Sequence, residues 1–376
     1  SEPMSSMNQS VVPFNDLSRS TPQESAGTME AIQRVVQRGH YLLGPETEAL
    51  ESELSAYVGV AHSITCANGT DALRLAMLAL GIGAGDVVLT AANAGGYSTI
   101  AARSIGARLA YADVDPATLL VSPDSLEAAL VRTSTPLAAV VVTHLYGRCA
   151  PMTAIIEWAE RRGIPVIEDA AQSLGALHQG RQSGSFGQIS TTSFYPTKNL
   201  GALGDAGAVF TNSDKLNARV RALRQYGWAK KYHIGITGGV NSRIDEIQAA
   251  VLRDRLPRLD AMNERRRQIH RRYETAAAAN ADRVRLVNIA SPEFVGHLAV
   301  IIVDHRDEAA QRFREAGVQT DVHYPVPDHR QSPFEASDAV SLPVTERAVT
   351  QILSIPLFPS LTDSEIDRVC QVLATL

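Results

Sequence analysis

Cysteine is scarce in this chain: Cys66, Cys149 and Cys370 are the three among 376 residues. They are widely spaced, show no metal-ligand pairing, and cannot form a complete disulfide set. No metal site is expected, and a reducing cytoplasm is the expected setting. A basic excess is missing as well. With 35 Lys and Arg against 40 Asp and Glu, a formal charge of −5, the chain lacks the surplus that neutralising a phosphate backbone requires, so no nucleic-acid partner is expected. The run Arg265-Arg266-Arg267 reads as a solvated helix face. Long apolar runs are absent too. Leu137 to Val142 and Leu298 to Val303 are far shorter than the ~20 residues of a membrane-spanning helix, and they read as buried strands with no membrane partner. The opening residues are polar, with no basic start before an apolar run, so no signal peptide is readable. Neither an internal repeat nor a low-complexity tract is found.

What remains is an ordinary soluble composition, 45% hydrophobic and 20% charged, on a chain long enough for about two domains at roughly 150 residues each. From about residue 63, short β-branched runs alternate with helical patterns, the signature of a parallel sheet covered by helices. Strands are expected at Ser63 to Ala67, Val87 to Thr90, Arg108 to Val114, Val140 to Thr143, Pro165 to Glu168, Thr191 to Phe194 and Ala208 to Thr211. Leu73, Ala76, Met77 and Leu80 share one helix face. Ser122-Pro123 reads as a helix start, Ser capping and Pro in the first turn. After Asn241 a helix carrying Ile244, Ile247 and Val251 runs to Pro257, and an Arg-rich helix follows through Tyr273. Leu298 to Val303 and Gln319 to His323 are strand-like. The expected fold is α/β, a mostly parallel central sheet with helices on both faces and a smaller C-terminal α+β domain. The expected divisions are an N-terminal segment 1–35, a large domain 36–256 and a small domain 257–376.

Three segments carry chemistry. Asn68-Gly69-Thr70-Asp71 stands between a strand and a helix, where free backbone N–H groups and the helix dipole attract an anion such as a phosphate. A plain helix cap by Thr70 or Asn68 is the alternative, and helix starts of this kind are common. Asp169 stands at the carboxyl end of an apolar strand, where open α/β sheets bind ligands. The competing reading is again a helix cap, with Ala170, Ala171 and Gln172 as the first turn. Lys198 lies in the turn Ser193-Phe194-Tyr195-Pro196-Thr197-Lys198-Asn199-Leu200, followed by Gly201, Gly204 and Gly207. A lone lysine is ordinarily a surface cation. A lysine held in a desolvated loop instead loses proton affinity and becomes the amine of a Schiff base. Together, Gly69/Thr70, Asp169 and Ser193/Lys198 supply partners for the phosphate, pyridine nitrogen and aldehyde of pyridoxal 5′-phosphate (PLP) in one sheet.

These segments, with Gly44-Pro45-Glu46, His144-Leu145-Tyr146-Gly147, Asn241-Ser242-Arg243 and His323-Tyr324-Pro325, resemble the DegT/DnrJ/StrS family of sugar aminotransferases, of the aspartate aminotransferase (fold type I) class. The resemblance covers nearly the whole chain. It implies that Lys198 forms the Schiff base with PLP, that Asp169 pairs with the pyridine nitrogen, and that Gln172 approaches the ring hydroxyl. It also implies that Gly69, Thr70 and Ser193 hold the phosphate, and that Asn241 reaches the phosphate of a second copy in a homodimer with shared active sites. Lys198 stands where a dehydrating subset of the family carries histidine.

Two positions depart from the family pattern. Tyr97, in Asn93-Ala94-Gly95-Gly96-Tyr97-Ser98-Thr99, is the candidate for stacking on the cofactor where relatives have a Thr-Phe or Thr-Trp pair; a core or helix-start residue is the alternative. Val240 replaces the usual Tyr before the asparagine. The loop carrying His323, Tyr324 and His329 resembles the acceptor-side loop of members that aminate the third sugar carbon; a Pro-rich connection facing water is the alternative.

The expected reaction moves an amino group from L-glutamate, through pyridoxamine 5′-phosphate, to a keto group of a nucleotide-linked deoxy sugar. A keto-cyclitol acceptor and a non-catalytic regulatory protein on the same fold are the competing expectations.

Overall fold

The computed structural model describes residues 10–335 and 338–376. The opening segment read for a signal peptide falls mostly on residues 1–9, outside the described residues. The large unit begins with α1 (Pro22–Arg38) and α2 (Pro45–Val58). It then alternates β1 (His62–Cys66), α3 (Gly69–Ala79), β2 (Val87–Ala91), α4 (Tyr97–Ser104), β3 (Arg108–Ala112), α5 (Pro123–Arg132), β4 (Leu137–Thr143), α6 (Met152–Glu160) and β5 (Val166–Asp169). β6 (Ile189–Ser193), β7 (Gly207–Thr211), α7 (Asp214–Leu223) and α8 (Glu246–Arg255) complete it. The seven strands lie in the order β1-β7-β6-β5-β4-β2-β3. β6, β5, β4, β2 and β3 run parallel to one another, and β7 is antiparallel to both β6 and β1.

Period-two alternation sorts the apolar strand residues onto two faces. Val140, Val142 and Val166 enter one core with α5 and α6, while Ala139, Val141 and Ile167 enter the other with α3. At the end of β5 the same alternation sends Glu168 and Asp169 to opposite faces. The start of α5 is as the sequence indicates, with Ser122 accepting from the Ser125 N–H and Pro123 in the first turn.

α8 stops at Arg255, a single 3-10 turn spans Leu256–Arg258, and α9 (Leu259–Ala278) begins at once. Ile244 precedes α8 instead of lying within it. The remaining elements are β8 (Val284–Leu286), β9 (Ala299–Val303), α10 (Arg306–Glu315), α11 (Pro343–Ala348), β10 (Ile352–Ile355) and α12 (Asp363–Thr375). β8, β9 and β10 form an antiparallel sheet, and its core holds Tyr273 and Ile269 of α9 with Ile366 and Val369 of α12.

Two expectations need correction. Gln319 to His323 is not a strand. Within it only Asp321 makes a bridge, an isolated one with Ser354, while Val318 just before it bridges Val12. Arg265-Arg266-Arg267 is not a solvated face either. Arg266 is buried and donates to the Gly296 and Leu357 carbonyls, Arg265 donates to Pro359 and Leu361, and Arg267 to Ser291 and Phe294. Three guanidinium groups thereby satisfy carbonyls of irregular segments that no strand pairs. Among the described residues no helix is long and apolar enough to cross a membrane, and no His/Cys/Asp/Glu group could hold a metal ion.

Candidate active site

The carboxyl ends of β5 and β6, the start of α3 and the loop after β6 surround a cavity of about 940 Å³. Gly207 organises one side of it. It pairs with Cys66 of β1 on one flank and Ser193 of β6 on the other, drawing the β1–α3 turn beside the end of β6. A Cβ on Gly207 would lie 2.6 Å from the Asn68 carbonyl, so only glycine lets the turn settle there. Asn68 then caps α3, its Oδ1 accepting from the Asp71 N–H at 2.8 Å. Gly69 and Thr70 occupy the first turn and line the cavity. The cap and the anion site are thus one object: capping leaves the first-turn N–H groups pointing outward. Asp71 accepts from Ser242 Oγ at 2.6 Å, and that hydroxyl accepts from the Ala67 N–H.

Asp169 is buried and faces the cavity. No α-helix follows it; its side chain accepts from the Ala171 N–H at 3.1 Å in a turn. Burial raises its carboxyl above the usual range, against the pull of the Ala171 N–H and of Lys198. Its neighbour Glu168 behaves oppositely. Burial pushes Glu168 upward, yet His144 and the Gly187 and Gly184 N–H groups outweigh this and hold it below the usual value. Glu168 accepts from the N–H groups of Gly184, Phe186 and Gly187, from Ser190 Oγ, and from His144 Nε2 at 2.9 Å. The Ala150 N–H donates to His144 Nδ1, which leaves the imidazole proton on Nε2 for Glu168.

Lys198 stands on the loop after β6. Phe194 anchors that loop in the core and closes it with a bond from the Ala202 N–H, while the Lys198 N–H donates to Tyr195. A Cβ on Gly201 would meet the Pro196 carbonyl at 2.4 Å, so the loop folds tightly only with glycine there. The lysine side chain lines the cavity together with Asp169. Burial lowers its pKa, and Asp169 partly opposes that.

The other expected residues are placed unequally. Tyr97, the first residue of α4, lines the cavity and meets Tyr324 edge-on at 6.3 Å between ring centres. His323 and Tyr324 line it too. Gln172 borders the cavity through Tyr324, which lines it: its Oε1 accepts from the Tyr146 N–H and its Nε2 donates to the Tyr324 hydroxyl. His329 does not reach the cavity. A 3-10 turn over Asp328–Arg330 carries it inward, and its buried ring lies beside Tyr111 and Glu346. Asn241 is exposed, away from the cavity of its own chain, where it bridges Gln225.

Residues 22–374 match the DegT/DnrJ/EryC1/StrS aminotransferase family. The chain belongs to that family. It is 39% identical over 374 residues to the UDP-2-acetamido-2-deoxy-3-oxo-D-glucuronate aminotransferase of Pseudomonas aeruginosa, covering 96% of this chain and 99% of that one. It is 40% identical over 356 residues to the dTDP-3-amino-3,4,6-trideoxy-alpha-D-glucose transaminase of Micromonospora megalomicea subsp. nigra, covering 93% and 94%. The structure of NtdA from Bacillus subtilis with bound cofactor PMP superposes with a TM-score of 0.90 at 33% identity, covering 97% of this chain and 84% of that one. The protein is a PLP-dependent aminotransferase with the fold type I architecture.

The residues of this aminotransferase fit the cofactor. A Cβ on Gly69 would lie 2.7 Å from the Ser193 Cβ, so only glycine lets the first turn of α3 pack against Ser193 and set its N–H groups beside a serine hydroxyl, donors suited to a phosphate. Asp169 offers a buried carboxylate to a ring nitrogen, and Lys198 a desolvated amine to an aldehyde.

Arg266, His297 and Asn15 also line the cavity, and sequence reasoning passed over them. Arg266 was hidden in a basic run, and His297 stands alone among apolar residues with no motif around it. Ser242 was within a motif already noted, and only its contact with Asp71 shows its part in supporting α3.

Proposed function

We propose that this enzyme holds PLP on Lys198 and transfers nitrogen from L-glutamate to the third-carbon keto group of a nucleotide-linked sugar, in the cytoplasm and as a homodimer. The observation that carries the reading is one cavity lined by Lys198, Asp169, Gly69, Thr70 and Ser193. The acceptor follows from the two relatives above, whose names place the oxo or amino group on carbon 3 of a UDP- or dTDP-linked sugar. His323 and Tyr324 are the proposed acceptor contacts, Tyr97 the residue stacked on the cofactor, and Gln172 its ring-hydroxyl neighbour. His329, buried behind the wall, is left out of that set.

When bound, PLP supplies an aldehyde and a ring that accepts electrons from the carbon next to nitrogen. Asp169 keeps the ring nitrogen protonated, because an anion a few ångströms away favours the cationic form. Gly69, Thr70 and Ser193 hold the phosphate. Lys198 Nζ, desolvated and thus more often uncharged, serves as nucleophile. The same Nζ, when free, would be placed to hold and move a proton at the donor's α-carbon. With one cavity serving donor and acceptor in turn, ping-pong kinetics are expected. Asn241, exposed where it bridges Gln225, is proposed to complete the phosphate site of the partner.

The test is spectroscopic and preparative. Glutamate should bleach the yellow, PLP-loaded enzyme, and UDP- or dTDP-linked 3-keto sugars should then restore the colour while becoming amino sugars by mass spectrometry. Bleaching followed by transfer only to a keto-cyclitol would replace the proposed acceptor. No bleaching by any amino donor would overturn the reading altogether.

A further inference from the structure

A chain of hydrogen bonds fixes the tautomer of His297. Asn263 Nδ2 donates to the Leu174 carbonyl at 3.1 Å, so its Oδ1 faces the other way and accepts from Asn199 Nδ2 at 2.8 Å. Asn199 Nδ2 also donates to the Val295 carbonyl at 3.0 Å. A carbonyl can only accept, so both amide orientations are set and Asn199 Oδ1 is left as an acceptor. It lies 3.0 Å from His297 Nδ1, which must therefore carry the proton. Nε2 keeps a lone pair. It has no partner among the described residues, and His297 lines the same cavity as Lys198.

From this geometry we infer that His297 Nε2 is a specificity contact for the amino acceptor, taking a hydrogen bond from a hydroxyl or amide N–H of the sugar. This rests on the acceptor proposed above. Charge decides which substrate the nitrogen suits. Burial, then Lys198, Arg266 and His323, all disfavour a proton on His297 and hold its pKa well below the ordinary value. A neutral imidazole presenting a lone pair repels the carboxylates of glutamate, whereas a sugar presents hydroxyl or amide donors. A site with a buried acceptor discriminates strongly against substrates that leave it unpaired.

The two half-reactions test this in the PLP-loaded enzyme. His297→Phe should slow nitrogen transfer from the glutamate-loaded enzyme to the nucleotide-linked keto sugar by about 10-fold or more, the scale of one lost hydrogen bond in a desolvated site. Bleaching by glutamate should stay within about 2-fold of wild type, which also reports an intact fold. His297→Gln, with an amide that can donate to Asn199 and still offer an oxygen to the cavity, should recover most of the loss. If His297→Phe does not fold, His297→Asn keeps a donor toward Asn199, is too short to reach the sugar, and is read in the same way. Equal losses in both half-reactions would mean that Nε2 serves Lys198 and overturn the inference, as would no loss in either. A wild type that bleaches with glutamate yet loads no nucleotide-linked sugar overturns the acceptor assignment, and this role with it. A wild type that transfers normally leaves only the role of His297 at stake.

Discussion

Gly69 approaches Ser193 so closely that a methyl group on the glycine would lie 2.7 Å from the serine Cβ. The start of α3 can pack this closely against the end of β6 only because one residue has no side chain. Gly69→Ala should therefore weaken cofactor binding by about 10-fold or more, the cost of displacing even one phosphate hydrogen bond. Equilibrium dialysis with PLP measures it, and unchanged affinity would remove the phosphate from the first turn of α3.

Lys198→Ala should abolish turnover yet retain pyridoxamine phosphate, because the proposed phosphate and pyridine contacts lie on other residues. Borohydride treatment of the wild type should fix the cofactor's mass on the peptide holding Lys198. A label on another lysine would sink the assignment.

Asp169→Asn should lower turnover by orders of magnitude with little effect on folding, since it removes the charge that protonates the ring nitrogen. Steady-state rates beside thermal unfolding separate the two effects. Near-normal activity would reduce Asp169 to a turn residue.

Glu168→Gln should do the reverse, damaging stability first. Removing a buried anion from His144 and three backbone donors costs about 3–5 kcal/mol by analogy with broken buried pairs. The folded pKa of Glu168 is lowered, so its stabilisation is present above the unfolded carboxylate pKa and fades as pH falls through the folded value. Urea unfolding at pH 7 and pH 4 should show a larger gap between wild type and variant at pH 7.

Asp328 gives the opposite sign. Burial raises its pKa to about 7, partly against a hydrogen bond from Thr99. The folded state thus holds a proton that the unfolded chain releases near pH 4, and Asp328 lowers stability as pH rises from there toward 7, by at most ~1.4 kcal/mol per pH unit. Asp328→Asn should flatten this slope and gain on wild type above pH 7. A parallel pH profile for the two proteins would show that Asp328 is ionised throughout.

Asn241 supports a test of the shared site. Mixing Lys198→Ala chains with Asn241→Ala chains should produce dimers in which one site is doubly impaired and the other intact, with activity above either parent. No recovery under conditions shown to exchange subunits, with Asn241→Ala alone impaired, would confine Asn241 to its own chain.

Local rules made much of this enzyme legible in one dimension. β-branched runs bounded by glycine and proline placed the seven central strands, and the Ser122-Pro123 pair placed the start of α5, because these signals act within a few residues. Lys198 and Asp169 could be chosen for the same reason: one lies in a turn dense with Pro and Gly, the other at the end of an apolar strand.

Only the tertiary structure decided the rest. Strand order brings Gly207 beside Cys66, far away in sequence, as well as beside Ser193, and no local signal encodes which strands become neighbours. Arg266 reads as a surface cation until Gly296 and Leu357 are seen to supply its acceptors. His297 is one more apolar-flanked residue until Leu174, Asn263 and Asn199 fix its proton. Composition and periodicity report what a side chain prefers, whereas its charge state and direction depend on partners that only folding brings within hydrogen-bonding distance.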